Sequence, residues 1–490
     1  MRNMTRKSTI ERLTRKGRYE AMKQLFNTRI LAVLALGALI GLTSTTVLPA
    51  QPWVSIGPAA ATGGQVEGIT NLPVAGAIEA LAAHPTNPNI LYIGGVNGGI
   101  FKTVNATAAS PTWTPQTDAQ ASLSIGALEF DPTDGTFNTL VAGVGRTSSF
   151  LGTGGAHTGI LRTTNGGATW TPIAITGVNV EVSGIAARGA TIVVAAEDSD
   201  VGFGDTGVYR STNGGATWTK ISGAGGTGLP IARAFDMASD PTSTTRLFVI
   251  VRNTGVAGAS GIYRSDDTGA TWTKISNAAQ DALLNGSSAD ANLAVGKAGP
   301  TTPNVFSAIC AAATGALSGV HRTGNAAAVT PVWTALDLPA PTIHPGGQCG
   351  THLSLVADPT NSNLVYIGGD RQGSPFPNGV GAFNFSGRLF RINAALAGGS
   401  QAQSLTHCTA PLAGCGGVTS TTSNSSPHAD SREMVFDANG NLIEVDDGGI
   451  YRRTNPTSIG DWHDESMMLQ TLAADRHGYS RLQNHSGSRE

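Results

Sequence analysis

The chain has 490 residues and is rich in glycine and poor in charge, with 64 Gly, 31 Lys or Arg, 33 Asp or Glu, and 13% charged residues in all. Glycine is far above its usual share of about 7%, which argues against long amphipathic helices and coiled coils. Residues 1–50 hold 9 basic and 2 acidic residues, which leaves 22 basic and 31 acidic residues, a net charge of −9, in residues 51–490. This acidic body disfavours a nucleic-acid or anionic-membrane partner, because both bind basic patches.

Residues 1–50 have the features of an export signal. An apolar run of 13 residues, ILAVLALGALIGL at 30–42, follows Lys23 and Arg29. This run is shorter than the roughly 20 residues needed to cross a bilayer and suits the core of a signal peptide. We expect cleavage near Ala50, with Met22 as an alternative start and an uncleaved anchor as the rival interpretation. The protein is then secreted, periplasmic or on the cell surface, with no membrane span after signal cleavage.

Three near-copies of one string predict a repeat architecture. They read GILRTTNGGATWTPI, GVYRSTNGGATWTKI and GIYRSDDTGATWTKI at residues 159–173, 207–221 and 261–275. Starts 48 and 54 residues apart are typical of stacked supersecondary units. Degenerate copies at 99–115, 319–336 and 449–462 extend the array in both directions.

A second pattern precedes most copies and completes the repeating unit. It is an apolar strand, a D/H-P-T or D-A-N-G turn and another apolar strand, as in LSLVADPTNSNLVYIGG at 353–369. Each unit thus has four short strands, A to D in chain order, as in a propeller blade. Units begin near residues 77, 124, 181, 232, 290, 351 and 430. The sequence therefore predicts an all-β, seven-bladed β-propeller of four-stranded antiparallel blades over residues 51–465, and Trp53 either completes the last blade or belongs to an eighth.

The four cysteines lie late in the chain, at Cys310, Cys349, Cys408 and Cys415. An even count in an exported chain predicts two disulfides, and the short spacing of Cys408 and Cys415 suggests one local pair with Cys310 and Cys349 as the other. A zinc site is the alternative, although a CxxC pair is lacking.

Residues 466–490 lose the alternating pattern and are predicted to be an irregular or disordered tail, with a truncated chain as the alternative.

The repeated string (S/T)-x-(D/N)-x-G-x-T-W, at 163–170, 211–218 and 265–272, resembles the Asp-box, or BNR, repeat. The resemblance covers most of 77–462. Such repeats occur in sialidases, xyloglucanase-type glycoside hydrolases, sortilin-type receptors and photosystem II stability factors, so it implies a fold and no single reaction. The structural box residues that it implies are Asn165, Trp170, Asn213, Trp218, Asp267 and Trp272.

The chemistry of the string indicates a structural role. The Asn or Asp accepts a hydrogen bond from the backbone N–H two residues on, the adjacent Gly takes positive φ, and the Trp packs on the blade. In the families it resembles, the boxes lie at the C-to-D turns, opposite the active site. We therefore expect function on the other face, which is built from the B-to-C loops and the starts of the A strands.

Charged residues are scarce and gather in the segments predicted for that face. PHADSR at 427–432, with VDDGG at 445–449, resembles an H-A-D-Q-H…D-G-G stretch of large secreted bacterial Asp-box proteins, with Arg432 in place of the second His. In this segment, His428 and Asp430 either bind a metal ion or transfer protons. Alternatively, they form a hydrogen-bonded pair that holds the last inner strand in place. The candidate catalytic residues are Asp370, Asp430, Asp446 and Asp447, and the candidate ligand-binding residues are Arg233, His352, Arg371, His428 and Arg432.

The sequence lacks residues that two hydrolase mechanisms require at the expected positions. A sialidase needs a tyrosine nucleophile, but five of the six tyrosines beyond residue 50 occupy repeated strand positions and the sixth lies in the tail. A xyloglucanase-like enzyme needs two carboxylates across a cleft, and Asn97 stands where the resemblance implies one of them. An amide cannot act as a general acid or base.

Cofactor signals are few. Asp198, Asp200 and Asp205 have the carboxylate density of a Ca²⁺ loop without the EF-hand spacing, and no nucleotide-binding glycine loop is found.

The leading hypothesis is an exported, monomeric propeller that binds an extracellular glycan or protein through its loop-rich face. The alternative is a glycoside hydrolase, xyloglucanase-like rather than sialidase-like, with paired carboxylates at the central channel. An assembly factor would need a basic docking patch.

Overall fold

The computed structural model describes residues 61–145, 154–200, 204–252, 256–285, 288–407, 425–457 and 462–464. Within them, 28 strands form seven sheets of four antiparallel strands, each sheet in the chain order A-B-C-D. The protein is a seven-bladed β-propeller, as predicted, and each A strand begins within 3 residues of its predicted unit start. The signal segment at 1–50, Trp53, Cys408, Cys415 and the tail at 466–490 lie outside the described residues.

The strands follow one another without a crossover. Blades 1 and 2 contain β1 Ile78–Ala83, β2 Leu91–Gly95, β3 Gly99–Thr103, β4 Trp113–Pro115, β5 Ile125–Phe130, β6 Leu140–Val144, β7 Ile160–Thr163 and β8 Thr171–Ile173. Blades 3 and 4 contain β9 Val180–Arg188, β10 Thr191–Ser199, β11 Gly207–Ser211, β12 Thr219–Lys220, β13 Arg233–Ser239, β14 Leu247–Arg252, β15 Gly261–Ser265 and β16 Thr273–Lys274. Blades 5, 6 and 7 contain β17 Ser288–Gly299, β18 Thr302–Ala311, β19 Ala316–Thr323, β20 Thr334–Ala335, β21 Ser354–Ala357, β22 Leu364–Gly368, β23 Leu389–Asn393, β24 Ala402–Ser404, β25 Glu433–Phe436, β26 Leu442–Val445, β27 Ile450–Arg453 and β28 Trp462–Asp464. A short helix, α1 Ala278–Leu284, precedes β17 and begins at a capping box formed by Asn277 and Gln280.

The A strands surround the central channel, and the blades pack on one another through apolar clusters. Each A strand contacts the A strand of the next blade, and β1 contacts β25, which closes the ring. The described residues form seven buried apolar clusters, one between each pair of neighbouring blades. Because both faces of a blade are covered, the B strands are nearly continuous apolar runs such as LYIGG and LVYIG.

The D-P-T pattern builds the A-to-B turns. Asp131, Asp240 and Asp358 each accept a hydrogen bond from the backbone N–H two residues on, at 2.7 to 2.9 Å. An aspartate that binds its own backbone in this way substitutes for a backbone turn. The pattern therefore sets where each inner strand ends and the next one begins.

The three repeated strings form one kind of C-to-D turn. Asn165, Asn213 and Asp267 each accept a hydrogen bond from the backbone N–H of the threonine four residues on, at 2.8 to 3.0 Å. The predicted bond two residues on was wrong, because that N–H donates instead to the Ser or Thr hydroxyl two residues before the Asn or Asp. The glycines beside Asn165 and Asn213 have positive φ, as predicted, whereas the residue beside Asp267 is Thr268, which itself has a φ of 56°. Trp170 and Trp272 are buried against the blade, and Trp218 is partly buried.

A disulfide joins Cys310 of β18 to Cys349, as predicted for this pair. The Cα atoms are 5.7 Å apart and the two residues are separated by 39 positions in the chain. The bond ties blade 5 to the segment that leads into β21 of blade 6. No helix in the described part of the chain is long and apolar enough to cross a membrane.

Candidate functional site

The segments predicted for function meet on one face of the ring. Because strand A leaves the face on which it begins and strand B returns to it, the starts of the A strands and the B-to-C loops share a face, which we call the loop face. The repeated C-to-D turns lie on the opposite face. Eight predicted site residues from blades 6 and 7 come together on the loop face and are called the blade 6–7 cluster: His352, Asp370, Arg371, His428, Asp430, Arg432, Asp446 and Asp447.

Arg432 is the buried centre of this cluster. Its Nε donates to Asp447 Oδ1 at 2.5 Å and its Nη1 donates to Glu79 of β1, so one guanidinium joins blade 7 to blade 1. Burial opposes the charged form, but the charges of Asp447 and Glu79 raise the pKa of Arg432 above its usual value. Sequence reasoning missed Glu79, although a lone glutamate in the apolar strand IEALAA was a usable signal.

Asp430 is the most accessible of the four candidate catalytic carboxylates. Its side chain is 20% exposed, whereas that of Asp447 is 7% exposed and Asp370 and Asp446 are fully buried. Asp430 has a φ of 75°, and its backbone N–H donates to the carbonyl of Asp370 at 2.6 Å. Burial, followed by the charge of Asp447, raises the pKa of Asp430 to about 8.

The histidine that faces Asp430 is His352. Oδ1 of Asp430 is buried, has no hydrogen-bond partner among the described residues and lies 3.7 Å from Nε2 of His352. His428, which the sequence analysis paired with Asp430, has its Nδ1 3.0 Å from the carbonyl oxygen of Ala429. The imidazole nearest to Asp430 is thus that of His352 and not that of His428, and the sequence did not indicate this pairing because His352 comes from another blade.

The pKa of Asp447 is shifted in the opposite direction to that of Asp430. Burial favours its neutral form, but the charges of Arg432 and then His352 lower the pKa of Asp447 to about 2. The surroundings therefore stabilise the ionised form of Asp447 and the protonated form of Asp430. The difference arises because Arg432 bonds directly to Asp447.

Asp446 closes the turn after β26. Its Oδ1 accepts hydrogen bonds from the backbone N–H groups of Gly448 and Gly449 at 2.7 and 2.9 Å. Glu444 lies beside it, and burial raises the pKa of both carboxyls, which interact with each other. A proton shared between two adjacent buried carboxyls relieves their repulsion. Neither side chain is exposed, so Asp446 faces no substrate in this conformation.

Asp370 is a buried anchor at the start of the B-to-C loop of blade 6. Its oxygens accept hydrogen bonds from the backbone N–H groups of Arg371 at 2.6 Å and Gln348 at 3.2 Å. Burial raises the pKa of Asp370 despite these bonds. The carboxylate thus holds together the two loops that carry Arg371 and lead to His352.

The B-to-C loop of blade 6, residues 369–388, is called the aromatic loop. Phe376 and Phe385 meet edge to face with ring centroids 4.8 Å apart, and the guanidinium of Arg371 lies 4.5 Å from the Phe385 centroid. Phe383 is 72% exposed. The loop therefore presents one exposed aromatic ring, with two further rings and a cation half-buried, next to Asp370 and Asp430.

Glu67, from the segment before blade 1, anchors the aromatic loop. It accepts hydrogen bonds from the backbone N–H groups of Phe383 at 3.1 Å and Asn384 at 2.6 Å, and its Oε2 lies 2.8 Å from Nε2 of His407. Burial opposes ionisation, but the hydrogen bond with His407 and its charge lower the pKa of Glu67. This clamp was not apparent from the sequence, because Glu67 and Phe383 are more than 300 positions apart.

The remaining candidates lie in blades 3 and 4. Arg233, at the start of β13, donates to the backbone carbonyl of Glu197 at 2.8 Å and forms an ion pair with the Glu197 side chain at 3.2 Å. Asp200 is within 2.8 Å of His157, and the carbonyl of Asp205 accepts a hydrogen bond from Tyr209. Among the described residues, the group with metal-ligand spacing is His352, Asp430 and Asp447, which does not include Asp198, Asp200 or Asp205.

The central channel opens between the inner strands of all seven blades. It forms a cavity of about 240 Å³ lined by A-strand residues. Glu433 of β25 accepts a hydrogen bond from the backbone N–H of Leu81 at 2.8 Å, and burial raises the pKa of Glu433 well above its usual value. With Arg432, this bond helps to close the ring between blades 7 and 1.

Two solved structures resemble this fold with TM-scores of 0.50 or above, and a third is less similar. The GH74 xyloglucanase from Xanthomonas campestris is 17% identical, with a TM-score of 0.52, over 84% of this chain and 56% of the enzyme. An ancestral GH74 enzyme is 14% identical, with a TM-score of 0.50, over 83% of this chain and 48% of the enzyme. The extracellular domain of the putative one component system BT4673 from B. thetaiotaomicron is 13% identical, with a TM-score of 0.44, over 80% of this chain and 40% of that domain.

These comparisons concern the fold. The neighbours are seven-bladed β-propeller proteins, and this chain spans about half the length of the two GH74 enzymes. No protein-family model and no curated protein matches the sequence. The protein is therefore a seven-bladed β-propeller, a fold that does not by itself specify a function.

Proposed function

We propose that this protein is an exported propeller that binds a neutral polysaccharide through the aromatic loop and the adjacent blade 6–7 cluster. The observation that carries the proposal is the exposed ring of Phe383 near the half-buried pair Phe376 and Phe385, beside buried and half-buried polar groups. The C–H face of a sugar ring is apolar and packs on aromatic rings, while its hydroxyl groups bond to carboxylates and guanidiniums. The loop offers both kinds of contact side by side.

The charge of the surface favours a neutral glycan. The body of the protein, residues 51–490, carries a net charge of −9. A uronic-acid or sulfated polymer carries the same sign of charge as residues 51–490 as a whole and would bind less well. The disulfide between Cys310 and Cys349 supports export, since such bonds persist in oxidising compartments.

The accessibility of the carboxylates favours binding over hydrolysis. A glycoside hydrolase needs two carboxyl groups that both reach the scissile bond. In this protein Asp370 and Asp446 are fully buried, and Asp447 is 7% exposed and bonded to Arg432. Asp430 is thus the one candidate catalytic aspartate with appreciable exposure, which suits recognition better than a two-carboxylate mechanism.

The test is a screen of the full chain against neutral polysaccharides, including xyloglucan, mannan and β-glucan, and against acidic pectin and alginate. Pull-down and reducing-sugar release are measured on the same samples. We expect retention on a neutral polymer without release of sugar. Release of sugar would establish the hydrolase alternative, and the absence of retention on every polymer would contradict the proposal and favour a protein ligand.

A further inference from the structure

The blade 6–7 cluster contains a set of side chains suited to a metal ion. One nitrogen of His352 and one carboxylate oxygen each of Asp430 and Asp447 all lie within 4.8 Å of one another. They come from three separate segments: the loop before β21, the loop before β25 and the turn after β26. Imidazole nitrogen with carboxylate oxygen is a common ligand set for divalent transition metals.

The contact between His352 and Asp430 has the spacing of two ligands of one ion. Nε2 of His352 is 3.7 Å from Oδ1 of Asp430, which is too far for a hydrogen bond. Two ligands at about 2.1 Å from one metal stand roughly 3 to 4 Å apart, and the observed distance falls in this range. The facing Asp430 oxygen is buried and accepts no hydrogen bond from the described residues, and such an oxygen is costly without a partner.

The charged groups around Asp430 favour a bound cation. Four carboxylates, those of Glu79, Asp370, Asp430 and Asp447, face two guanidiniums, those of Arg371 and Arg432. With Asp430 ionised, as a metal ligand must be, these groups carry an excess of negative charge that a divalent ion would balance. Arg432 would act from outside the ligand set, because its bond to Asp447 Oδ1 orients that carboxylate, as the outer partners of metal ligands commonly do.

We propose that His352, Asp430 and Asp447 bind one divalent transition-metal ion, Zn²⁺ or Mn²⁺, which fastens the loop face of blade 6 to that of blade 7. The histidine ligand disfavours Ca²⁺ and Mg²⁺, which take oxygen ligands. The ion is inferred from this ligand set alone and does not depend on whether the aromatic loop binds a polysaccharide. It also differs from the calcium loop predicted from Asp198, Asp200 and Asp205.

The test is calorimetric titration of the full chain with Zn²⁺ and with Mn²⁺ after dialysis against chelator, in excess Ca²⁺. We expect one equivalent to bind. His352→Gln and Asp430→Asn should each weaken binding by about 100-fold or more, since changes in the outer shell alone cost about 10- to 100-fold. The matched controls His321→Gln, in blade 5, and Asp266→Asn, on the surface of blade 4, should bind like the wild type.

A second measurement on the unaltered chain covers the case in which a variant fails to fold. Co²⁺ should bind with one equivalent, give visible d–d absorption typical of nitrogen and oxygen ligands, and be displaced by Zn²⁺. Absence of bound Zn²⁺, Mn²⁺ and Co²⁺, or binding that Ca²⁺ abolishes, would overturn the proposal. Unchanged binding in a folded Asp430→Asn variant would overturn it as well. None of these readouts involves a polysaccharide, so the two proposals fail separately.

Discussion

At the scale of single residues, the site depends on side chains that are charged in a nearly dry environment. Arg432 is completely buried between Asp447 and Glu79, and it serves the ring as well as the cluster because its two partners belong to different blades. A buried ion pair adds little over well-packed apolar groups, but removal of one partner leaves an uncompensated charge. The loss of Arg432 should therefore damage the fold more than the loss of a surface cation.

Arg432→Met should lower the free energy of unfolding by about 3 to 5 kcal/mol, because it leaves two buried carboxylates without their guanidinium. The measurement is urea unfolding at pH 7. The control is Lys274→Met, which removes a partly exposed pair with Asp281 and should cost about 1 kcal/mol or less. Equal losses in the two variants would show that Arg432 has no special structural role.

Asp267→Ala should cost about 1 kcal/mol, because the backbone N–H groups of Ala270 and Thr271 lose their acceptor. Asp267→Asn is the matched variant and should stay close to the wild type, since asparagine fills the same position at Asn165 and Asn213. Chemical denaturation distinguishes the two. If Asp267→Asn were as damaging as Asp267→Ala, the charge and not the turn geometry would be responsible.

At the scale of elements, the loops of the loop face are held by contacts from distant parts of the chain. The aromatic loop is bonded at its base by Asp370 and at its tip by Glu67. Burial opposes the ionised form of Glu67, but His407 and two backbone N–H groups lower its pKa. A carboxyl with a lowered pKa stabilises the fold above its unfolded pKa, and this contribution is lost as the pH falls through the folded value.

Glu67→Gln should loosen the aromatic loop without unfolding the propeller, because the amide keeps one acceptor but loses the ion pair with His407. We expect faster amide hydrogen exchange over residues 380–388 at pH 7, measured by mass spectrometry. The wild type should approach the variant as the pH falls through the folded pKa of Glu67. Exchange that stays equal in the two proteins at pH 7 would contradict the clamp.

At the scale of the whole molecule, the ring joins seven similar units, and the apolar clusters between them repeat around it. The disulfide between Cys310 and Cys349 adds a covalent link at the junction of blades 5 and 6, across 39 positions of the chain. In the chain-entropy model, a crosslink stabilises the native state by restricting the unfolded one.

Cys310→Ala combined with Cys349→Ala should lower the free energy of unfolding by about 3 to 4 kcal/mol, as expected for a closed loop of this length. Unfolding with and without reductant should give the same midpoint in the variant, whereas reductant should lower the midpoint of the wild type. A midpoint of the wild type that does not change with reductant, under conditions shown to break the bond, would show that the disulfide does not stabilise the ring.

The blades were predictable from the sequence because their signals are local. A D-P-T turn, an apolar B strand and a box turn each occupy a few consecutive residues, and their repetition set the seven starts within 3 positions. The partners of the site residues were not predictable in this way. Glu79 with Arg432, and Glu67 with His407, are joined by closure of the ring, and more than 300 positions separate each pair.

The most direct test of glycan binding by the aromatic loop is titration of a neutral oligosaccharide, taken from the best polymer of the screen, into three forms of the protein. The wild type and Val329→Ala, which removes an 89% exposed apolar side chain from the C-to-D turn of blade 5, should bind alike. Phe383→Ala should bind about tenfold more weakly, which corresponds to roughly 1.4 kcal/mol for one lost aromatic contact. If Val329→Ala weakened binding and Phe383→Ala did not, the glycan site would lie on the opposite face of the ring, and the aromatic loop would not be the binding surface.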